Sequence, residues 1–257
     1  MARLPHLLAR FAIAAGLCAF VAGCEKSSAT AAASPVAAEA TSAVARAGHG
    51  VIRGRVLFVG PTPVMRVIDV SGFPACGNHP PPTEQYAIVN PNGTLKNVLV
   101  YVQSAGRVSG AGLPPVLLDQ ANCQYVPHVV ALRTGQRLSI RSSDDTLHNV
   151  HGQPSDNPAF NFAEVAAGTS HDLTFSEPEI FRIKCDVHPW MNACVGVFEN
   201  DCFALTGDDG SFEIHGVPAG DYTLIAWHEH YDTLRQTVTV SDDKPVTADF
   251  TYGPAAD

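Results

Sequence analysis

Between residues 116 and 199 the chain is a succession of short β-branched runs, each closed by turn residues: Val116-Leu-Leu, Val129-Val-Ala-Leu, Arg137-Leu-Ser-Ile-Arg, Ser170-His-Asp-Leu-Thr-Phe, Ile180-Phe-Arg-Ile-Lys and Cys194-Val-Gly-Val-Phe. Runs this short cannot bury their own apolar faces and must stack into sheets. Their regular spacing predicts a small Greek-key β-sandwich. With Gly 21 and Pro 19 in 257 residues, and few helix-length apolar stripes, the whole chain reads as all-β.

The flanking segments carry further strand signals. Val51–Val59 is a strand candidate stopped by Gly60-Pro61, and Leu95–Val102 is a second; Gly/Pro-rich breaks lie around Cys76 and His79 and over residues 105–115. After position 202 come Thr206-Gly-Asp-Asp-Gly-Ser-Phe-Glu-Ile, Gly216-Val-Pro-Ala-Gly-Asp-Tyr-Thr-Leu, Thr237-Val-Thr-Val and Val246-Thr-Ala-Asp-Phe. About fifty residues are few for an independent core, so these strands need partners from elsewhere. Residues 25–48 are rich in Ala, Ser and Thr, bury nothing large, and read as a tether.

One motif carries chemistry. Cys185-Asp-Val-His188-Pro-Trp-Met191 places a thiolate, an imidazole and a thioether within seven residues, and Thr146-Leu-His148-Asn149-Val can supply a second imidazole. Two imidazoles, one thiolate and a weak thioether form the ligand set of a blue-copper electron-transfer site, suited to a metal that cycles between Cu(I) and Cu(II). Structural zinc gains nothing from Met191. A c-type haem requires Cys-x-x-Cys-His, and no such run is present. No Ser-His-Asp or paired-carboxylate constellation has a recognisable context, so the chain reads as a non-enzyme.

Residues 113–200 resemble a cupredoxin, nearest to the amicyanin and pseudoazurin branch. Gly135 stands thirteen residues before His148, and the spacings Cys185-x-x-His188-x-x-Met191 are those of the short amicyanin loop. One departure is Val187, where the family usually has proline; it bears on loop stiffness more than on metal identity. The resemblance implies one type 1 copper held by His148, Cys185, His188 and Met191, with the Asn149 backbone N–H aimed at the Cys185 sulfur and its side chain tying the two ligand loops. It also implies a His188 ring edge at the surface as the route for electrons, with Pro189 and Trp190 as an apolar docking rim; Trp190 reads equally as ordinary packing. His151 alternates to the opposite face of its strand and reads as a surface residue.

The C-terminal strands resemble the second half of a carboxypeptidase regulatory-like (transthyretin-type) sandwich, whose missing early strands have candidates in 52–58 and 98–102. We therefore expect a discontinuous second small β-sandwich, 49–104 plus 203–253, with the cupredoxin inserted. The alternative is an N-terminal extension followed by a separate tail.

The N-terminus reads as an export signal over residues 1–23, with Arg3 and Arg10 ahead of an apolar run too short to anchor by itself. Val21-Ala22-Gly23-Cys24 resembles the bacterial lipobox, implying a lipid on Cys24; an ordinary cleavable signal is the alternative. Cys18 falls in the signal. With Cys24 and Cys185 assigned, Cys76, Cys123, Cys194 and Cys202 remain, an even number with three pairings in an oxidising compartment; the preferred set is Cys76–Cys123 and Cys194–Cys202. Cys123-Gln-Tyr-Val-Pro-His128 with His79 invites a second metal site, but a disulfide beside ordinary histidines explains it more simply. His228-Glu-His230 reads as a weak chelate or as solvated residues.

The formal net charge of -9 becomes -11 once the two signal arginines are set aside, which argues against nucleic acid or anionic lipid surfaces as partners. The expectation is a lipid-anchored protein of the bacterial cell envelope, periplasmic or surface-facing, that carries single electrons to a redox partner protein. Two other readings stand beside it: a copper-holding or delivery protein, and an envelope module that binds carbohydrate or protein around a structural copper.

Overall fold

In the computed structural model the described residues are 49–78 and 80–254, so the expected export signal, Cys24, the expected tether and His79 lie outside them. In chain order the strands are β1 (Gly50–Phe58), β2 (Leu99–Val102), β3 (Val116–Ala121), β4 (Gln124–Val126), β5 (Val129–Arg133), β6 (Arg137–Ser142), β7 (His148–Gly152), β8 (Phe160–Glu164) and β9 (Ser170–Thr174). They continue with β10 (Glu179–Lys184), β11 (Asn192–Phe198), β12 (Phe203–Leu205), β13 (Ser211–Val217), β14 (Gly220–Trp227), β15 (Leu234–Val240), β16 (Val246–Thr247) and β17 (Phe250–Tyr252). A five-residue 3-10 turn, Pro74–Asn78, interrupts the long connection between β1 and β2. No helix of the described residues is long and apolar enough to cross a membrane. The fold is all-β.

Four sheets pair into two sandwiches. One sandwich stacks β4-β3-β6-β9 against β5-β11-β10-β7-β8. Leu118, Tyr125, Leu132, Leu138, Ile140, Val150, Ile183 and Val195 fill it, together with Cys185 and Met191. The other sets β13-β1-β16, with β17 also on β1, against β12-β2-β14-β15. Its core includes Ile52, Val56, Val98, Val100, Phe212, Ile214, Leu224 and Phe250. Strands from both ends of the chain share this second sandwich: β1 pairs with β13, and β2 lies between β12 and β14. At one end the close approach is tight. A Cβ on Gly54 would collide with the Ala248 carbonyl, so only glycine lets the segment between β16 and β17 lie flat on β1.

The sandwiches are joined by a third apolar cluster: Leu99, Val129, Cys194 and Phe198, flanked by Tyr101, Ile180, Phe203 and Trp227. This is why β11 is buried on both faces, with only its first residue partly exposed, instead of alternating. It also settles two cysteines. Cys194 packs in this inter-sandwich cluster and Cys202 in the core of the β1–β2 sandwich; both are free. The expected Cys194–Cys202 disulfide is therefore incorrect. Extended β11 carries the chain away from Cys194 at about 3.3 Å per residue, and the following turn does not bring it back. Cys76 and Cys123 are joined as expected, with Cα atoms 5.7 Å apart.

Candidate metal centre

The centre is built where three local structures meet: the turn before β7, the loop between β10 and β11, and the β3–β4 hairpin. The loop after β10 is folded back on itself by Met191 N–H donating to the His188 carbonyl (2.9 Å) and Cys185 N–H donating to the Met191 carbonyl (2.9 Å). Those two bonds turn Cys185, His188 and Met191 inward, and all three are buried. His148 opens β7 on the inward side of the strand and is fully buried, whereas His151, on the opposite face, pairs with Asp186 (2.8 Å).

His148 Nδ1 lies 3.1 Å from His188 Nδ1, and His188 Nδ1 lies 3.7 Å from Cys185 Sγ. Asn149 N–H points at the same sulfur (3.4 Å), and the Asn149 carboxamide oxygen accepts from Asp186 N–H (3.0 Å), which ties β7 to the ligand loop. Met191 belongs to the same core cluster as Cys185. Among the described residues His148, Cys185 and His188 form one of three groups whose donor atoms lie within 4.8 Å of one another.

The donor set fits one metal ion. Imidazole nitrogens about 2.0–2.1 Å from an ion and about 100° apart sit about 3.1 Å from each other; a thiolate about 2.3 Å from it, at about 115°, sits about 3.7 Å from a nitrogen. Both spacings occur here. Two aromatic nitrogen lone pairs facing each other beside a thiolate are otherwise a poor arrangement, tolerable only with a proton or cation among them.

The charges around the rings favour such a proton on His148. Burial pushes the His148 imidazolium down, but the Asp144 carboxylate and the Cys185 sulfur outweigh it and hold its pKa up at about 9. Burial likewise raises the Cys185 thiol, yet hydrogen bonds from the His148 and His188 rings and from the His188 and Asn149 N–H groups bring it down to about 6. The metal-free centre is thus a thiolate–imidazolium pair near neutral pH.

Asp144 is the residue that the motif reading missed. Its carboxylate accepts from His148 Nε2–H (2.9 Å), from Asn122 N–H (2.8 Å) and from Cys123 N–H (2.8 Å). Fixing the proton on Nε2 leaves Nδ1 to face a metal, the usual role of a carboxylate behind a ligating histidine. Asn122 and Cys123 form the two-residue turn between β3 and β4, both left-handed (φ 56 and 53). Such a turn favours Asn-Gly, and cysteine stands at the second place against that preference. The sequence signal was present: an aspartate four residues before a ligand histidine.

His188 differs from expectation. Instead of presenting an edge to solvent it is 2% exposed. Phe73 lies tilted against it (centroids 5.1 Å) and meets Trp190 edge-on (4.9 Å), and the Cys76–Cys123 sulfurs lie within 4.8 Å of a His188 ring nitrogen. Trp190 donates from Nε1 to the Cys123 carbonyl (2.9 Å), so it packs the cover down instead of standing free as a docking rim; Pro189 is exposed. The cover comes from the β1–β2 connection, remote in sequence, and no local pattern could have announced it.

The remaining candidates resolve into structure. His128 and Arg182 both pair with Glu229, Arg182 at 3.0 Å. His228 is buried and its ring nitrogen accepts from His230 N–H (3.2 Å), so of the two readings, weak chelate or solvated residue, the solvated one fails for it; burial pushes its pKa down to about 4. His230 is exposed against Tyr86.

A family profile for the carboxypeptidase regulatory-like domain matches residues 195–253, from within β11 to the last strand. Among solved structures, the chain is similar to a copper-containing nitrite reductase from Thermus scotoductus SA-01 at 20% identity and TM-score 0.32, over 37% of this chain and 26% of that one. It is similar to a purple cupredoxin from Nitrosopumilus maritimus at 18% identity and TM-score 0.28, over 32% of this chain and 98% of that one. It is also similar to amicyanin in a Cu(I) form at 20% identity and TM-score 0.30, over 38% and 97%. The match thus spans about a quarter of the nitrite reductase chain. No curated protein sequence matches.

Proposed function

We propose that this chain is an exported, membrane-tethered type 1 copper protein that carries single electrons and is not an enzyme. The observation that carries the reading is the convergence of His148 Nδ1, His188 Nδ1 and Cys185 Sγ at the spacing of one metal ion, with Asn149 N–H directed at the sulfur. His148, Cys185 and His188 would hold the copper, with Met191 as the weak fourth donor; the metal supplies a one-electron couple when bound. The protein's part is to keep the site dry, to hold the thiolate with a backbone N–H, and to fix both rings through Asp144 and the folded-back loop. The lipid on Cys24, the envelope location and a redox partner protein belong to the same proposal.

Burial of His188 favours a second reading, a copper-holding or delivery protein, because the usual edge for rapid electron exchange is covered. Cu(II) added to the full chain tests the site: we expect a strong visible thiolate-to-copper band, bleached on reduction and restored on oxidation. Retention of that band in Cys185→Ser would sink the assignment. Fast reversible voltammetry supports the carrier, and slow copper transfer to an acceptor protein supports the holding role.

A further inference from the structure

The disulfide sits where a second copper site would be. Cys76 Sγ, Cys123 Sγ and a ring nitrogen of His188 all lie within 4.8 Å of one another, and Cys123 Sγ also lies within 4.8 Å of a His148 ring nitrogen and an Asp144 carboxylate oxygen. All of these residues are buried, so no donor atom faces bulk water. Cys123 occupies a left-handed turn position (φ 53) where glycine is the ordinary choice, and its N–H and carbonyl are both used, by Asp144 and by Trp190. Cys76 lies on the Pro74–Asn78 turn, next to Phe73, the ring that covers His188. The bond between these cysteines therefore pins the cover onto a copper ligand.

The geometry points to a thiol-gated Cu(I) site formed by Cys76, Cys123 and His188, a second route by which copper reaches the centre at His148, Cys185 and His188 beside direct uptake of Cu(II); the inference rests on the copper reading above. A dithiol of the cell envelope or medium supplies the two electrons. Because both sulfurs are buried, the Pro74–Asn78 turn must first open locally; the dithiol's thiolate then attacks one sulfur of the Cys76–Cys123 bond, its second thiol resolves the mixed disulfide, and it departs as its own disulfide while Cys76 and Cys123 gain two protons. Cu(I) then displaces thiol protons to solvent and binds two soft sulfurs and an imidazole, a donor set that selects Cu(I). Exchange with an external disulfide reverses the electron flow, re-forms the Cys76–Cys123 bond and closes the cover. His188, common to both donor groups, is the point of handover.

The test uses the full chain and Cu(I) itself as probe, competed against a coloured Cu(I) chelator. Cys185→Ser, treated with a small dithiol that is then removed, should expose two new thiols and hold one more equivalent of Cu(I) than the same variant left oxidised. Cys76→Ser/Cys123→Ser/Cys185→Ser should lose that increment although Cys194 and Cys202 remain. Equal copper uptake by reduced and oxidised Cys185→Ser overturns the inference, as does an undiminished increment in the triple variant or failure of the dithiol to release two thiols from the folded chain. Because reduced and oxidised forms of one variant are compared, a folding defect in the triple variant cannot decide the result. The visible band of oxidised wild type with Cu(II) reports on the first site alone, so loss of that reading is separable from loss of this one.

Discussion

Asp144 accepts one hydrogen bond from the His148 ring and two from a hairpin turn, so its replacement disturbs the candidate centre without removing a donor atom from it. Asp144→Asn should lower copper affinity by about 10–100-fold, measured by chelator competition, as expected for a lost partner behind a ligating histidine. The sign of the pH dependence follows from the same contacts. Between about 6 and about 9 the metal-free centre keeps a proton on His148 while Cys185 is already a thiolate. Binding must expel that one proton, so apparent affinity should rise about tenfold per pH unit across this window and level off above it. In Asp144→Asn the plateau should begin at lower pH, because burial then acts on His148 with one fewer opposing charge. The four candidate ligands were legible because a metal loop is written in short spacings. Asp144 was harder to read, since its importance depends on Asn122 and Cys123 arriving from another hairpin.

Among the elements, strands with sustained β-branched runs were readable and those shaped by neighbours were not. β3, β5, β6, β9, β10 and β11 lie on the expected runs, while β4 and β12, with three residues each, have no room to show a period. The expected strand from Leu95 begins only at Leu99, because Asn97 is left-handed (φ 64) and breaks the extended backbone. Gly54→Ala should separate β1 from the β16–β17 segment at a cost of about 2–3 kcal/mol, read from the denaturation midpoint. At the end of β14, neutral His228 makes stability acid-sensitive. Its folded pKa of about 4 lies below its ordinary 6.5, so the unfolded chain binds the extra proton between these values and stability falls as pH drops. The loss by pH 4 should be about 3 kcal/mol, and His228→Asn should flatten it in melts run from pH 7 to 4.

The molecule as a whole is held by contacts between its two sandwiches. Glu229, with a side chain 3% exposed, reaches from the end of β14 to His128 and Arg182 of the other sandwich, which the Leu99, Val129, Cys194 and Phe198 cluster also joins. Glu229→Gln leaves those partners facing a neutral group and should cost about 2 kcal/mol, less than a fully buried pair because Arg182 is half exposed. A double-mutant cycle with Arg182→Ala should return a coupling of about 1 kcal/mol.

Composition and periodicity alone determined that the chain is all-β, and the 185–191 loop with His148 nominated a copper site, because both are local properties written within one strand or one turn. Folding decided the rest. Which cysteines pair, what lies over His188 and where Glu229 is buried depend on segments far apart in the chain meeting across sheets, and no spacing within a strand records which faces will touch.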